Sequence, residues 1–362
     1  MDLKKQNILL FTRTMALGGT ENVVLQLCEI LKPEVNKVIV CSCGGINELK
    51  LEEMGIKHIK INDIEDKNPI KIINNIKILK KIIKNEQITI IHSHHRMAAM
   101  YANIISNKKI IKIANAHNTF YNKKLLTKLA YHNTKLIAVG NQVRKNLTEF
   151  YKINPKQVSV IHNAIKPFNE KIIIDKKLKK NKDKGNITIG NIGRLSEQKG
   201  MEYFIKAASI INKTYKNIKF YIVGTGEDEE KLKKLSKDLI PEKNLEFMGY
   251  RSDIQNLIIQ MDFVVLSSLW EGLPLTPIET FSVGKTIVAT AVDGTIEIVK
   301  DNNNGFLVPP KNEEELAKAI IKLIDNKKLR EKFEKNAYKT YINEFSFQKL
   351  EKKYIEYYKK LR

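Results

Sequence analysis

The sequence predicts an α/β protein of two Rossmann-like domains in tandem, facing a central cleft. Three observations lead there. At 362 residues the chain exceeds what one core usually organises, so two domains are the starting expectation. Short β-branched apolar runs alternate with longer amphipathic stretches, the pattern of βαβ units on a parallel sheet. The alternation stops at a Lys/Asn-rich segment, residues 166–186, and then starts again.

The elements follow in order. Residues 8–11 read as the first strand. Thr20 then reads as the cap of a helix whose apolar stripe is Val23, Val24, Leu27 and Leu31. Further strands read at 38–41, 88–92, 110–114, 136–139 and 158–162, with helices in most gaps. Residues 166–186, with Lys176-Lys177-Leu178-Lys179-Lys180, have little periodicity and read as an interdomain linker or exposed arm. The second half gives strands at 187–192, 218–223, 245–247, 263–266, 286–289 and 306–308. Residues 313–362 read as helical and charged. The expected domains are therefore 1–165 and 187–345, with 166–186 as linker.

Composition narrows the function classes. Cys28, Cys41 and Cys43 form no ligand or disulfide framework and read as reduced thiols of a cytosolic protein. The start leads into only a short apolar run, a core strand rather than a signal peptide. No apolar run approaches the ~20 residues of a membrane span. Net charge is +23 and lopsided: residues 1–180 hold 32 Lys+Arg against 14 Asp+Glu, the remainder 31 against 26. No acid lies between Glu86 and Glu149, while ten basic residues do. The first half is expected to meet something anionic: a membrane surface, lipid phosphates or nucleic acid. Biased base composition of a genome explains many lysines but not their segregation. Pro69–Asn85, with isoleucines among lysines, fits either an anionic bilayer or ordinary core packing. No aromatic stacking surface or nucleic-acid motif accompanies the charge, so no nucleic-acid partner is expected.

The densest chemistry is Glu271-Gly272-Leu273-Pro274-Leu275-Thr276-Pro277-Ile278-Glu279, a loop after a buried strand that feeds a helix. Ligands of open α/β sheets bind at such junctions. Both carboxylates can accept hydrogen bonds from hydroxyls of a sugar or ribose. Thr276-x-x-Glu279 also spells a capping box with Pro277 at the first helical position, which explains Glu279 without a ligand. Gly193-Arg194 with Lys199-Gly200 follows the first strand of the second half, and a rigid Arg fork beside a Lys point charge suits a diphosphate. Gly18-Gly19-Thr20-Glu21 lies between the first strand and helix, where backbone can approach an anion or simply turn. His92, His94 and His95 cluster near a strand end, without the Cys or carboxylate a metal site wants. His117 ends another strand on the expected cleft.

Taken in order, these motifs with Val223-Gly224-x-Gly226 resemble a retaining glycosyltransferase of family four, with the GT-B fold. The resemblance spans nearly the whole chain. It departs mildly at Thr20, where Ala is frequent, and at Glu-Gly-Leu-Pro in place of Glu-Gly-Phe-Gly.

The resemblance implies a C-terminal domain that binds a nucleotide sugar, with UDP as the family-level base. The basic N-terminal domain would bind a glycan or lipid-linked acceptor. A last helix, about 346–362, would pack back onto the N-terminal domain. Arg194 and Lys199 would hold the diphosphate, Glu279 the ribose and Glu271 the sugar hydroxyls. Backbone of Gly19, Gly193, Gly272, Leu273, Pro274 and Leu275 would line the donor. His117 would sit near the transferred sugar, and Glu21 and His94 would contact donor or acceptor. No cofactor or metal is expected with both cations present. The implied enzyme is a hexosyl- or N-acetylhexosaminyltransferase, cytoplasmic and peripheral at the inner face of the cell membrane, serving surface polysaccharide or glycolipid synthesis. The rivals are a sugar-nucleotide epimerase of the same fold and a non-enzymatic basic protein that binds membrane or nucleic acid.

Overall fold

The computed structural model describes every residue except Ser106, Lys108 and Arg362. The chain divides into two compact units: Met1–Asn163 with Leu350–Arg362, and Ala164–Lys349. The strands of the first unit are β1 (Asn7–Phe11), β2 (Lys37–Ser42), β3 (Lys57–Lys60), β4 (Ile90–Ser93), β5 (Ile111–Ala116), β6 (Lys135–Ala138) and β7 (Val158–Val160). Those of the second are β8 (Ile187–Ile192), β9 (Ile218–Val223), β10 (Leu245–Gly249), β11 (Phe263–Leu266), β12 (Ile287–Thr290) and β13 (Gly305–Val308).

Each unit is one parallel sheet. The orders are β3-β2-β1-β4-β5-β6-β7 and β10-β9-β8-β11-β12-β13. Both are doubly wound: the chain runs outward one way, returns to the centre and runs outward the other way. The expected Rossmann-like pair is what forms. Central strands are buried along their whole length, β1 and β11 included, because crossover helices cover both faces of a parallel sheet.

The first core joins Leu9, Phe11, Ile39 and Ile91 of the sheet to Leu79, Ile82 and Tyr101 of covering helices. The second packs Phe204 edge-on to Phe220, ring centroids 5.9 Å apart, and Phe306 edge-on to Phe333 at 5.1 Å. Helix ends follow local chemistry. Asn68 caps Pro69–Asn85 by accepting from the Ile70 N–H, with Pro69 at the first position. Asn312 caps Glu313–Asp325, whose first turn is all acidic.

The structure adds to the sequence reading at three places. Strand β3 went unforeseen: it is an edge strand of sequence KHIK with no buried residue, so it lacks the apolar run that marks the others. Residues 166–186, read as a linker or exposed arm, contain a helix. Helix Lys176–Asp183 buries Leu178 and is capped by Asp175, which also pairs with Arg251 at 3.0 Å. In Pro69–Asn85, Leu79 is buried and Ile76 and Ile83 pack on the core, so most of the stripe proposed for a bilayer faces protein.

Candidate active site

The second sheet reverses its winding between β8 and β11, and open sheets bind ligands outside the carboxyl ends of strands at such a point. The loop after β8 carries Gly193, Arg194 and Lys199; the loop after β11 carries Glu271. Lys199 Nζ lies 2.6 Å from Glu271 Oε1, and the two side chains are only 17% and 6% exposed. The Ser268 hydroxyl donates to the same oxygen at 2.7 Å. Gln198 Nε2 reaches the other oxygen at 3.4 Å and the Trp270 carbonyl at 3.0 Å. The loops are stitched by Leu269 N–H to Gln198 O at 2.8 Å and by Ser267 Oγ–H to Lys199 O at 3.1 Å. Gly200 permits this closeness: its φ is +53°, and a Cβ there would lie 2.4 Å from Ser267 O.

Arg194 stands apart from this pair. It is exposed and has no ion-pair or side-chain hydrogen-bond partner among the described residues. Its backbone is braced against β9 and the loop beyond: Gly193 N–H donates to Val223 O and Leu195 N–H to Thr225 O, both at 3.0 Å. The sequence offered two cations for one diphosphate. The structure holds one already neighboured by a carboxylate and one open to an anion.

The capping box fails. Helix Leu275–Ser282 starts two residues before Pro277, with Pro274 at its N-cap and no side-chain cap. The Thr276 hydroxyl donates instead to Ile192 O, 3.3 Å away at the end of β8. Glu279 is thereby freed of a capping role. Its half-buried carboxyl accepts no hydrogen bond from any described residue. Burial pushes it up to about 7, against the pull of the Lys199 charge. Sequence reasoning missed Ser268, Gln198 and Gly294. A Cβ on Gly294 would lie 1.9 Å from Gly272 O, so this glycine sets the path of Gly272 and Leu273. The signal was present: Gly294 follows β12 and opens a short helix, as Gly19 follows β1.

The first sheet reverses between β1 and β4. Helix Gly19–Leu31 begins at Gly19, with Gly18 as N-cap and no side-chain cap, so Thr20 lies inside the first turn rather than capping it. The Glu21 carboxylate accepts from the Thr14 hydroxyl at 2.6 Å. At the ends of β4 and β5, His94 Nδ1 lies 3.2 Å from His117 Nε2, while the buried His94 Nε2 has no partner. His92 is held on both sides, Nδ1 by the Tyr358 hydroxyl at 2.6 Å and Nε2 by Asn115 Oδ1 at 2.8 Å. Asn115 also donates to the Tyr354 hydroxyl at 2.8 Å, so the last helix, Phe347–Lys359, is pinned to this sheet. Burial lowers His117 to about 3 and His92 to about 4, and drives His94 well below its ordinary value. All three are neutral near pH 7. His95 turns instead to Glu65 at 3.5 Å. Among the described residues no three His, Cys, Asp or Glu are grouped to hold a metal ion, and no helix is long and apolar enough to cross a membrane.

Arg194, Lys199, Glu271, Gly272 and Glu279 thus gather in one unit, while Gly19, Glu21, His94 and His117 belong to the other. Known proteins match both. The family described as Glycosyltransferase Family 4 matches residues 17–167, and that described as Glycosyl transferases group 1 matches residues 173–340. The UDP-Gal:alpha-D-GlcNAc-diphosphoundecaprenol alpha-1,3-galactosyltransferase of Escherichia coli is 27% identical over 354 residues, covering 92% of this chain and 91% of that protein. The crystal structure of a glycosyltransferase from Rickettsia africae superposes with a TM-score of 0.81 at 26% identity, covering 98% of each chain. That of Anabaena HepE in complex with UDP gives 0.84 at 20% identity, covering 98% of this chain and 100% of that one, a likeness of fold. With each half matched by a glycosyltransferase model and each sheet doubly wound, the chain belongs to the family-four glycosyltransferases and has their GT-B fold.

Proposed function

We propose that the protein transfers a hexosyl or N-acetylhexosaminyl group from a UDP-sugar to a hydroxyl of a lipid-linked or glycan acceptor, with retention at the anomeric carbon. The observation that carries the donor site is the constellation at the β8/β11 reversal. An exposed Arg194, a Lys199 paired with Glu271 and a Glu279 that feels the Lys199 charge lie on the segments that follow β8 and β11. The name of the Escherichia coli relative, with its UDP-sugar and lipid-diphosphate acceptor, supports UDP and a lipid-linked acceptor here.

In this reading Arg194 forks onto the diphosphate and Lys199 adds a point charge. Backbone of Gly193, Gly272, Leu273, Pro274 and Leu275 lines the donor. Glu271 takes sugar hydroxyls and Glu279 the ribose hydroxyls. The bond from anomeric carbon to phosphate oxygen breaks, and the bond to the acceptor oxygen forms on the same face. The acceptor proton passes to the leaving diphosphate. Charge grows on that diphosphate in the transition state, so fixed cations there lower the barrier. The chemistry asks for no metal. His117, Glu21, His94 and Gly19 of the first domain contribute contacts to sugar or acceptor. An anionic membrane at the inner face of the cell presents the lipid-linked acceptor, in synthesis of surface polysaccharide or glycolipid.

The test is transfer from radiolabelled UDP-sugars to polyprenyl-diphosphate glycans in the presence of EDTA, with the product anomer read by NMR. An α-product from an α-donor is expected. An inverted product, or activity that EDTA abolishes, refutes retention or metal independence respectively.

A further inference from the structure

We propose that the first unit docks on an anionic lipid bilayer through a preformed apolar platform made by Ile104, Phe120, Tyr121, Leu125 and Leu129. This deepens the membrane partner proposed above and names its place, which is not the helix the sequence pointed to.

The five side chains are 55%, 51%, 68%, 73% and 54% exposed. Scattered exposed apolar residues are ordinary, but four of these lie on one segment, residues 120–129, and the fifth on the helix hydrogen-bonded to it. Tyr121 meets Phe150 edge-on at 5.2 Å, and Lys124 Nζ lies 5.1 Å from the same ring. Helix Lys124–Ala130 turns Thr127 and Ala130 inward and leaves Leu125, Lys128 and Leu129 outward. Asn103, beside Ile104, donates to the carbonyls of Leu129 and Ala130 at 3.2 and 2.8 Å.

The platform is built rather than frayed. Buried Asn146 accepts from the Phe120 N–H at 3.3 Å and donates to the Phe120 carbonyl at 2.9 Å. The Tyr151 hydroxyl donates to Asn122 O at 2.9 Å. Arg96 Nη1 donates to the Thr127 hydroxyl at 3.0 Å and fixes the inner face of the helix. Buried polar side chains thus hold a loop whose two aromatic rings stay more than half exposed. Such an arrangement favours a partner that supplies the missing apolar surroundings.

Charge says what kind of partner. The platform lies within the stretch from Glu86 to Glu149 that has no acid and ten basic residues. Lys123, Lys124 and Lys128 flank the apolar tips, and all three are exposed. Lysine stems lie along apolar surface while their heads reach headgroup phosphates, and aromatic rings suit the same interface. By contrast, Pro69–Asn85 leaves only Ile70 and Ile73 as large exposed apolar side chains.

Vesicle co-sedimentation tests this on the full chain, with phosphatidylcholine vesicles lacking or containing phosphatidylglycerol. Wild type is expected to sediment with the anionic vesicles only. Leu125→Ser with Leu129→Ser is expected to weaken that partition by about tenfold or more, from the apolar area withdrawn. Lys123→Gln with Lys124→Gln and Lys128→Gln is expected to remove the preference for anionic lipid. The melting-temperature rise given by UDP-sugar serves as a separate reading of fold and donor site, and is expected unchanged in both variants. Wild type that binds UDP-sugar but no vesicle overturns the platform and leaves the transferase reading standing. Variants that sediment like wild type, or loss only in Ile70→Glu with Ile73→Glu, overturn it as well. So does a platform variant that turns an oligomer into a monomer with vesicle binding intact, since that assigns the surface to a second copy of the chain.

Discussion

Removing Lys199 should harm both stability and activity, and removing its partner as well should restore only the first. In the structure the ammonium sits 2.6 Å from Glu271 Oε1, in a pair 17% and 6% exposed. At that distance and an effective dielectric of ~20 the attraction is about 6 kcal/mol, most of which offsets the desolvation of two ions. Lys199→Ala leaves the carboxylate with Ser268 and Gln198 alone and no counter-charge at contact. The expected loss is about 3 kcal/mol. For a unit of this size that is a fall of about 6–12 °C in Tm. Lys199→Met with Glu271→Gln removes both charges at nearly constant volume and should return to within about 1 kcal/mol of wild type. Activity follows another rule. Both variants lack the charge that would stabilise the leaving diphosphate, so kcat should stay down by about 10²–10³ in each. Calorimetric Tm and steady-state transfer, measured on wild type, Lys199→Ala, Lys199→Met, Glu271→Gln and the Lys199→Met/Glu271→Gln double, close the cycle. A double variant as unstable as Lys199→Ala refutes the pairing energetics. A stable double variant with wild-type kcat refutes the diphosphate role.

Three further outcomes are expected. Glu279 is raised to about 7 by burial, so the fold binds its proton more tightly than the unfolded chain does. Its contribution to stability is complete below the ordinary carboxyl value of 4.5 and is lost as pH rises toward 7; the Tm difference between wild type and Glu279→Gln should fall over that window and flatten above it. Tyr358→Phe leaves His92 Nδ1 buried without a donor and should cost about 1–3 kcal/mol in denaturant unfolding, with Tyr357→Phe as the control. Gly294→Ala would place a methyl 1.9 Å from Gly272 O and should raise KM for the donor more than it lowers Tm; an unchanged KM removes Gly294 from the shaping of that loop.

The layout was legible because buried parallel strands announce themselves as short apolar runs. β3 was not, because an edge strand with Lys57 and Lys60 at its ends buries too little to leave that mark. The site was legible by type and not by pairing. Arg194, Lys199, Glu271 and Glu279 stand out at strand ends, yet nothing local says that Lys199 meets a carboxylate 72 residues away. Both proposed helix caps failed for one reason. Thr20 and Thr276 each have the right side chain two residues too late, because Gly18 and Pro274, which have no side chain able to cap, take the extended conformation at the entry to each helix. The His92–Tyr358 and Asn115–Tyr354 bonds join residues more than two hundred positions apart, beyond the reach of any periodicity. The platform was masked differently. Nothing in the sequence separates Leu125 and Leu129 from residues that pack inward, and only the inward turn of Thr127 and Ala130 reveals them as surface.

The central claim is a nucleotide-sugar site at the β8/β11 reversal. It is tested most directly by a melting-temperature panel of nucleoside diphosphates and nucleotide sugars on wild type and Arg194→Ala, since a ligand bound only by the folded state raises Tm by mass action. One UDP-sugar should raise Tm in wild type, and Arg194→Ala should abolish most of that rise. No rise with any nucleotide or nucleotide sugar, alongside a rise with anionic lipid or nucleic acid, would contradict the claim and leave a basic binding protein in its place.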